Sequence, residues 1–418
     1  MRKSSTIATI LGVMVVVLGC GEPDARFGAT AAMPAPAAPA TVPVPTPPRG
    51  PSTDYVVPEP QLRHLGLETF WSGKLPVTPA ANVIDAYVLG DFILCESADK
   101  RLYAVDRMTG VPKWTVDLPN RCDFRGCDDG GEHLFVPCRN VLVAIDKRGI
   151  VEWRNYLEFA PGGIPVADGD RVYLPCFDGR IRAFLKEGGY FSAQYTTGNA
   201  VEAKPGLGSR LVYAGSTDGT IYALNADKLD PSWTFKTYGA IRAGVITEKM
   251  RVFVASTDGS LYYLNGLPQA SREQQLAWNR AYASGASIEK TPFLAPEMIL
   301  VVNTVRECHA VDRESGRKLW MLADVDEVLM QGKVNTYLLR HGTKIVAVDN
   351  KTGAVRWLLD TPVNAFAYYL VNPADDVLYM VKTTGETQAV RELRPAGAGA
   401  PEPEKPAPKK IDVDAIVE

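Results

Sequence analysis

Histidine is scarce in this chain. The 418 residues include four, at His64, His133, His309 and His341, and no two of them are near each other in sequence. The sequence therefore argues against a metal site or a catalytic triad that depends on histidine. The chain also has no excess of positive charge, because its 45 Lys and Arg residues are outnumbered by 48 Asp and Glu residues, which gives a formal net charge of -3. Nucleic acid as the main partner calls for a basic face, so this charge balance argues against it.

Long hydrophobic runs are also few. A prominent one extends from Ile7 to Gly19 behind Arg2 and Lys3, and it is too short to span a bilayer comfortably. This pattern is typical of a signal peptide. The run ends in Val17-Leu18-Gly19-Cys20, which resembles the bacterial lipobox, in which the cysteine thiol receives diacylglycerol. We therefore predict a lipoprotein signal peptide over residues 1–19 and lipid attachment at Cys20. An ordinary secretory signal with an incidental Cys20, or a short membrane anchor, is the alternative.

Two segments lack any hydrophobic period. Residues 20–60 are rich in Pro and Ala, and ten of the 27 residues from Pro34 to Pro60 are proline. This composition favours an extended polyproline II chain of about 3.1 Å per residue, which predicts a tether between the lipid and a folded body. Residues 395–418 form a second Pro-, Ala- and Lys-rich segment, predicted to be a disordered tail. Its alternating end, residues 411–418, either adds a strand to a partner's sheet or is inert.

An internal repeat dominates the rest of the chain. Three segments share one eleven-residue frame that begins with Ala, continues with Val-Asp, has Gly at its seventh position and ends in Trp: Ala104 to Trp114, Ala310 to Trp320 and Ala347 to Trp357. Five looser copies are also present. Together the eight copies of the frame begin at Ala104, Ala144, Ala183, Ala223, Tyr263, Ala310, Ala347 and Ala389. A repeat of roughly 40 residues with strand-like alternation and turn glycines indicates one four-stranded propeller blade per frame.

The number of blades follows from the two ends of the repeat. Eight frames are present, but no Trp follows the last frame, and Trp71 has no frame before it. We therefore predict an all-β fold, an eight-bladed β-propeller of four-stranded antiparallel blades over residues 61–394. Residues 67–77 are expected to supply the outer strand of the eighth blade, which closes the ring and removes its open edges.

The frame resembles the tryptophan-docking repeat of the pyrroloquinoline-quinone-type propellers. The resemblance covers about residues 67 to 393. In those propellers, the Trp of each outer strand packs between neighbouring blades. The resemblance implies the same structural role for all seven tryptophans: Trp71, Trp114, Trp153, Trp233, Trp278, Trp320 and Trp357.

An enzymatic alternative follows from the same resemblance, because quinoprotein dehydrogenases share the repeat. Those enzymes resemble one another in a vicinal cysteine pair, a Trp beneath the quinone and a bound Ca²⁺. This chain has no adjacent cysteines, and its tryptophans are assigned to docking. We therefore expect no catalytic residues, no cofactor and no metal, with a quinoprotein dehydrogenase as a distant alternative. The run Glu307-Cys308-His309 is a weak metal candidate, because adjacent residues of a strand face opposite sides of the sheet.

Six cysteines remain after lipidation, and an exported protein permits disulfides. One disulfide is predicted near the second blade, joining Cys122 to either Cys127 or Cys138, and the sequence leaves this choice open. Blade three departs most from the frame, since the segment from Ala183 lacks both the Asp and the Trp. Two interpretations remain, a surface released for partner contact and simple drift of the repeat. The longer turn of blade five, Gly266–Gln275, has the same two interpretations.

A lipid anchor, eight blades and the docking repeat together resemble the propeller lipoproteins of the outer-membrane β-barrel assembly machinery. This resemblance implies a non-catalytic scaffold at the outer membrane, with the propeller in the periplasm and surface exposure as a variant. Its implied partners are envelope proteins, including the barrel-inserting subunit and unfolded outer-membrane proteins. The alternative function is a propeller that binds another envelope protein or a polysaccharide.

Overall fold

Each predicted repeat forms one four-stranded antiparallel sheet, and the computed structural model of the chain is an eight-bladed propeller. The structure describes residues 57–78, 81–122, 124–269, 271–360, 367–371 and 376–393. The predicted signal peptide, Cys20, the tail and nearly all of the tether therefore lie outside the described residues. Among the described residues, no helix has the length and apolar character needed to cross a membrane.

The strands take the same four positions in every blade, counted outward from the propeller centre. The first strands are β2 (Val83–Leu89), β6 (Cys127–Asp128), β10 (Val166–Asp168), β14 (Gly206–Gly208), β18 (Ile246–Glu248), β22 (Phe293–Leu294), β26 (Glu327–Gln331) and β30 (Tyr368–Val371). The second strands are β3 (Phe92–Ser97), β7 (His133–Cys138), β11 (Arg171–Pro175), β15 (Leu211–Gly215), β19 (Arg251–Ala255), β23 (Met298–Val302), β27 (Asn335–Arg340) and β31 (Val377–Val381).

The third and fourth strands complete each blade. The third strands are β4 (Arg101–Asp106), β8 (Val141–Asp146), β12 (Arg180–Leu185), β16 (Thr220–Asn225), β20 (Ser260–Asn265), β24 (Cys308–Asp312), β28 (Lys344–Asp349) and β32 (Glu386–Glu392). The outer strands are β5 (Pro112–Asp117), β9 (Val151–Tyr156), β13 (Phe191–Thr196), β17 (Pro231–Lys236), β21 (Tyr282–Ala283), β25 (Lys318–Leu322), β29 (Val355–Asp360) and β1 (Leu67–Lys74). Two short helices, α1 (Glu59–His64) and α2 (Arg272–Gln275), lie outside this pattern.

The eighth blade joins the two ends of the repeat, as predicted. Strand β1 pairs antiparallel with β32, from Leu67 opposite Glu392 to Lys74 opposite Glu386. Trp71 stands opposite Ala389, which is the register of the Ala and Trp of the frame in the other blades. The prediction of an eight-bladed ring closed by an N-terminal strand is therefore confirmed.

The turn between the third and fourth strands explains why the frame needs Asp and Gly. One carboxylate oxygen of Asp106 accepts hydrogen bonds from the backbone N–H groups of Met108 and Thr109, at 3.0 and 2.9 Å. This bonding holds the chain in a tight reversal. Gly110 follows with a φ of +72°, a left-handed conformation that favours glycine.

The hydrophobic core is divided among the blade boundaries. The described residues form eight clusters of buried side chains, and each cluster draws its members from two neighbouring blades. The boundary between blades eight and one has such a cluster, which includes Tyr379 from one blade and Tyr103 from the other. Helix α1 adds Leu62 to the cluster between blades seven and eight. The ring is therefore packed continuously, including the point where its ends meet.

Candidate functional site

Most of the tryptophans bind the next blade through the indole N–H. The acceptor is a backbone carbonyl oxygen in the turn between the third and fourth strands, 2.7 to 3.2 Å away. The pairs are Trp71 with Arg107, Trp114 with Lys147, Trp153 with Lys186, Trp233 with Gly266, Trp278 with Arg313 and Trp320 with Asn350. Each of these indoles thus links its own blade to its neighbour.

The turn glycine lies directly against the indole at five boundaries. A Cβ atom added at the glycine would come within 2.4 to 2.7 Å of the ring, closer than real Cβ atoms approach other atoms. The pairs are Gly110 with Trp71, Gly149 with Trp114, Gly189 with Trp153, Gly316 with Trp278 and Gly353 with Trp320. Glycine is therefore required twice over, for its backbone conformation and for the space the indole needs.

Three boundaries depart from this arrangement. Between blades four and five, Trp233 keeps its hydrogen bond to the oxygen of Gly266, but Tyr213 and Met250, not the indole, lie closest to that glycine. In blade three, Ala193 stands opposite Ala183, in the register that tryptophan occupies elsewhere. In blade four, Leu229 takes the frame position of the turn glycine, with a φ of +58° and a fully buried side chain. At the seventh blade, Trp357 is 43% exposed and meets the edge of His64 in helix α1, with 5.3 Å between ring centroids.

Two acidic residues in the turns between the second and third strands, Asp178 and Asp218, are bound by side chains of their own blades. Asp178 forms an ion pair with Arg182 at 2.6 Å, and this hydrogen-bonded guanidinium lowers the pKa of the carboxyl group. Asp218 accepts a hydrogen bond from the hydroxyl of Tyr222 at 2.7 Å. Burial opposes ionisation of Asp218, yet hydrogen bonds from Tyr222 and Thr220 lower its pKa overall. These carboxylates hold the turns together and do not converge on one point.

The Glu307-Cys308-His309 run separates as the strand alternation predicts. Cys308 is buried in the cluster between blades six and seven. The two ring nitrogens of His309 lie 2.7 Å from the Tyr282 hydroxyl and 3.2 Å from the carboxylate of Glu307. Burial lowers the pKa of His309. No group of three or more His, Cys, Asp or Glu side chains suited to hold a metal ion occurs in the described part of the chain.

The predicted disulfide stays a prediction. The packing of its candidate cysteines bears on the choice of partner. Cys122 packs against the cluster between blades one and two, which contains Cys138, whereas Cys127 belongs to the cluster between blades two and three. The pKa of Tyr87 is raised by burial, then by the neighbouring thiol of Cys122 and to a smaller extent by that of Cys138. Cys122 and Cys138 thus share one neighbour.

A cleft of about 650 Å³ opens near blades six and seven. Its wall combines apolar side chains with charges of both signs, including Phe293, Met298, Glu297, Lys333 and Lys351. This mixture shows no preference for an anionic or a cationic ligand, so the cleft gives no support to a specific small-molecule activity.

Exposed aromatic side chains are concentrated in blades two to four, at both ends of the strands. Six aromatic residues are strongly exposed among the described residues, and five of them belong to blades two to four or directly follow them: Tyr156, Phe177, Tyr190, Phe191 and Tyr238. Tyr238, which is 84% exposed, is stacked on one side by the Arg272 guanidinium from the long turn of blade five. Tyr156, Phe177 and Tyr238 stand at one end of the strands, and Tyr190 and Phe191 stand at the other. Sequence reasoning noted the departure of blade three but missed these exposed rings, because the frame defines only buried positions.

Comparison with known proteins places the fold among propellers of this repeat type. The family model described as outer membrane protein assembly factor BamB matches residues 269–366. The crystal structure of BamB from Moraxella catarrhalis is similar at 20% sequence identity and a TM-score of 0.62, covering 78% of this chain and 97% of that one.

A computationally designed protein, Ika8, is similar at 12% identity and a TM-score of 0.58, covering 76% of this chain and 98% of its own. No curated protein matches the sequence. The chain therefore has a propeller fold like that of BamB, and the match to the family's repeat lies in residues 269–366. At these identities, the solved structures establish the fold alone.

Proposed function

We propose that this chain is a non-catalytic protein-interaction scaffold, lipid-anchored at Cys20 to the outer membrane with its propeller in the periplasm. The proposal extends to a role like that of BamB, as a subunit that assists outer-membrane protein insertion. The family match and the shared fold support the scaffold role. The lipobox-like end of the apolar run supports the anchor, and multiple acyl chains hold a protein to a membrane stably.

Three exposed aromatic residues at the same end of the strands in blades two to four, Tyr156, Phe177 and Tyr238, carry the scaffold proposal. Tyrosine and phenylalanine bury a large area at small entropic cost and are frequent anchors of protein interfaces. A folded body that exposes three such rings at one end of neighbouring blades leaves apolar area uncovered where a partner would cover it. The partners we propose are envelope proteins, including the barrel-inserting subunit and unfolded outer-membrane proteins.

Affinity purification from detergent-solubilised envelopes tests the scaffold role. A triple variant, Tyr156→Ser with Phe177→Ser and Tyr238→Ser, should lose the barrel-inserting subunit that the parent protein recovers. A matched control, Leu319→Ser with Met321→Ser, removes exposed apolar side chains from blade six and should retain the partner. Equal recovery by both variants would contradict the proposed surface, and recovery of peptidoglycan alone by the parent would favour the alternative of a polysaccharide-binding propeller.

Metabolic labelling with palmitate tests the anchor separately. The parent protein should incorporate label and sediment with the membrane, and Cys20→Ala should do neither. Substitution of a propeller cysteine, Cys95→Ala, provides the control and should leave labelling unchanged. Label retained by Cys20→Ala would show that the acyl chains are attached elsewhere.

A further inference from the structure

The chain leaves the propeller beside the cleft near blades six and seven. Strand β32 ends at Glu392, whose carboxylate accepts a hydrogen bond from the backbone N–H of Lys333 at 2.7 Å. A Cβ atom added at Gly332 would come within 2.6 to 2.8 Å of the same carboxyl group. Gly332 and Lys333 both line the cleft. The residues that follow Leu393 therefore begin close to the wall of this cleft.

The two blades supply charges of opposite sign to the cleft. Glu297 and Asp312 belong to blade six, and Lys333 and Lys351 belong to blade seven. None of these four side chains forms an ion pair with another residue in the part of the chain that the structure describes. Asp376 of blade eight adds a further carboxylate to the lining. A ligand that carries both signs of charge in separate parts would therefore match this cleft better than an ion of one sign.

Blade six also gives the cleft an apolar wall. Phe293, Met298 and Leu319 line it, and Leu319 is 44% exposed. The cleft volume of about 650 Å³ lies within the range of ligand pockets, roughly 300–1,000 Å³. The cleft therefore has room for several side chains of a peptide and an apolar surface on which they can be buried.

One segment after Leu393 has matching apolar residues. Among residues 394–418, large apolar side chains are restricted to one stretch of seven residues, at Ile411, Val413, Ile416 and Val417. The residues before this stretch are mainly Pro, Ala and Gly. Burial of apolar area is the main source of affinity for such a segment, so this stretch is the part of the tail that suits the cleft.

Charge in this segment is also divided by sign. Lys409 and Lys410 come first, and Asp412 and Asp414 follow. In an extended chain, the two aspartates would share one side, and the apolar residues that alternate with them would share the other. The lysines would then face the carboxylates of blade six while the aspartates face the lysines of blade seven.

Residues 394–408 are long enough to connect the propeller to this segment. Fifteen residues at about 3.1 Å each in an extended polyproline conformation span on the order of 45 Å. The connection starts at the cleft wall, so the whole cleft lies within that reach. A segment attached this closely has an effective concentration of about millimolar order, so even a weak interaction would keep the cleft filled.

We propose that residues 409–417 bind in this cleft of the same molecule, with their apolar side chains against blade six and their aspartates beside Lys333 and Lys351. Bound in this way, the segment closes the cleft to other peptides. The inference goes beyond the proposed scaffold function and does not depend on it, because neither the exposed aromatic residues nor the lipid anchor takes part.

Competition between the segment and a free copy of it tests the proposal in the full chain. The probe is a fluorescent, capped peptide with the sequence of residues 409–417, and its binding is followed by fluorescence anisotropy. A fourfold variant empties the cleft: Ile411→Ser, Val413→Ser, Ile416→Ser and Val417→Ser. This variant should bind the peptide, and the parent should bind it at least about tenfold more weakly, because the attached segment competes.

A second fourfold variant is the control, since it leaves the segment intact and should match the parent: Ala396→Ser, Ala398→Ser, Ala400→Ser and Ala407→Ser. Absence of peptide binding by the variant with the emptied cleft would overturn the proposal. Equal binding by that variant and the parent would overturn it as well, because the attached segment would then not occupy the site.

Charge reversal locates the binding site. In the variant with the emptied cleft, Lys333→Glu with Lys351→Glu should weaken peptide binding by about tenfold or more, because attractions become repulsions. A peptide that carries Asp412→Lys and Asp414→Lys should recover most of that loss. Unchanged binding after reversal of the two cleft lysines, or no recovery with the reversed peptide, would overturn the assignment to this cleft.

A matched pair of exposed lysines provides the control for charge. Lys228→Glu with Lys249→Glu reverses charge at the same end of the strands, in blades four and five, and should leave peptide binding unchanged. Matching thermal melts confirm that the charge variants are folded.

Sedimentation distinguishes binding within one molecule from binding between two. The parent should sediment as the variant with the emptied cleft does, at the concentrations of the binding assay. Dimers of the parent that this variant does not form would assign the segment to the cleft of a second copy of the chain and would overturn the proposal.

Discussion

Ala193 and Leu229 replace, at the boundary of blades three and four, the tryptophan and glycine that meet at five other boundaries. Both residues belong to one cluster, in which Leu229 is fully buried. The leucine occupies the turn position whose Cβ would collide with an indole, and the alanine removes that indole. The two departures therefore compensate each other, and a large side chain is supplied from the opposite side of the boundary.

This compensation predicts coupled effects on stability. Ala193→Trp alone should destabilise the propeller, because the indole has no space beside Leu229. Leu229→Gly alone should lower the free energy of unfolding by about 2 kcal/mol or more, because it leaves a cavity. Glycine also relieves the strain of the positive φ, which offsets part of this loss. The double variant restores the arrangement of the other boundaries and should recover most of the loss. Urea unfolding of the four proteins checks this, and strictly additive effects would contradict it.

The tryptophans should differ in importance according to their burial. Trp114 is 7% exposed and donates to Lys147 of the next blade, whereas Trp357 is 43% exposed. Trp114→Ala should therefore lower the free energy of unfolding by about 3 kcal/mol or more, which is the range for a buried aromatic residue. Trp357→Ala should lower it by clearly less. The free energy of unfolding, measured in urea, provides the comparison. Equal losses would show that the docking role does not depend on burial at the boundary.

Much of this architecture was predictable from the sequence, because a blade depends on short-range features that repeat. The Asp at the turn, the Gly with positive φ and the Trp ten residues after the Ala each have a local cause. The pairing of the Trp71 strand with the last frame was predictable because the last frame lacks a Trp and Trp71 lacks a frame. The compensation between Ala193 and Leu229 was not predictable, because it depends on packing between two blades. The sequence frame shows only that blade three lacks a Trp. The exposure of Trp357 likewise depends on helix α1, which replaces the usual turn.

Ring closure should be essential to the stability of the whole propeller. Strand β1 covers the edge of β32, and Trp71 donates to Arg107 in blade one. Deletion of residues 61–77 removes that strand and opens the ring between blades eight and one. We expect a sharp fall in the melting temperature, measured by circular dichroism. Trp71→Ala, which keeps the strand, should produce a smaller fall in the same assay, and an unchanged melt of the deletion variant would refute ring closure.

Oxidation should join Cys122 to Cys138. Cys122 packs against the cluster that contains Cys138, whereas Cys127 lies in the neighbouring cluster, where burial raises its pKa to about 12. Protein exported to an oxidising compartment should therefore yield a peptide pair that carries both residues on digestion without reduction. Cys122→Ser and Cys138→Ser should each remove that pair in mass spectra, and Cys127→Ser should retain it. A pair containing Cys127 would contradict the packing argument.

Stability should fall in mild acid because of His309. Burial lowers the pKa of this residue in the folded protein below its ordinary value of 6.5, although Glu307 opposes that effect. As the pH falls below about 6.5, the unfolded chain takes up a proton that the folded chain does not, and the free energy of unfolding decreases. This loss ends once the pH passes below the lowered pKa of the folded state.

Substitution at this position isolates the effect from other titrating groups. His309→Gln should lose less stability than the parent protein between pH 7.5 and pH 5.5, as measured by urea unfolding at each pH. His341→Asn, which removes an exposed histidine, should keep the pH dependence of the parent. The Tyr282 hydroxyl and the Glu307 carboxylate can both accept hydrogen bonds from a charged imidazole, so they limit the cost of protonation without removing the desolvation that causes it. If His309→Gln and the parent lost equal stability over this range, the acid sensitivity would have to arise elsewhere in the chain.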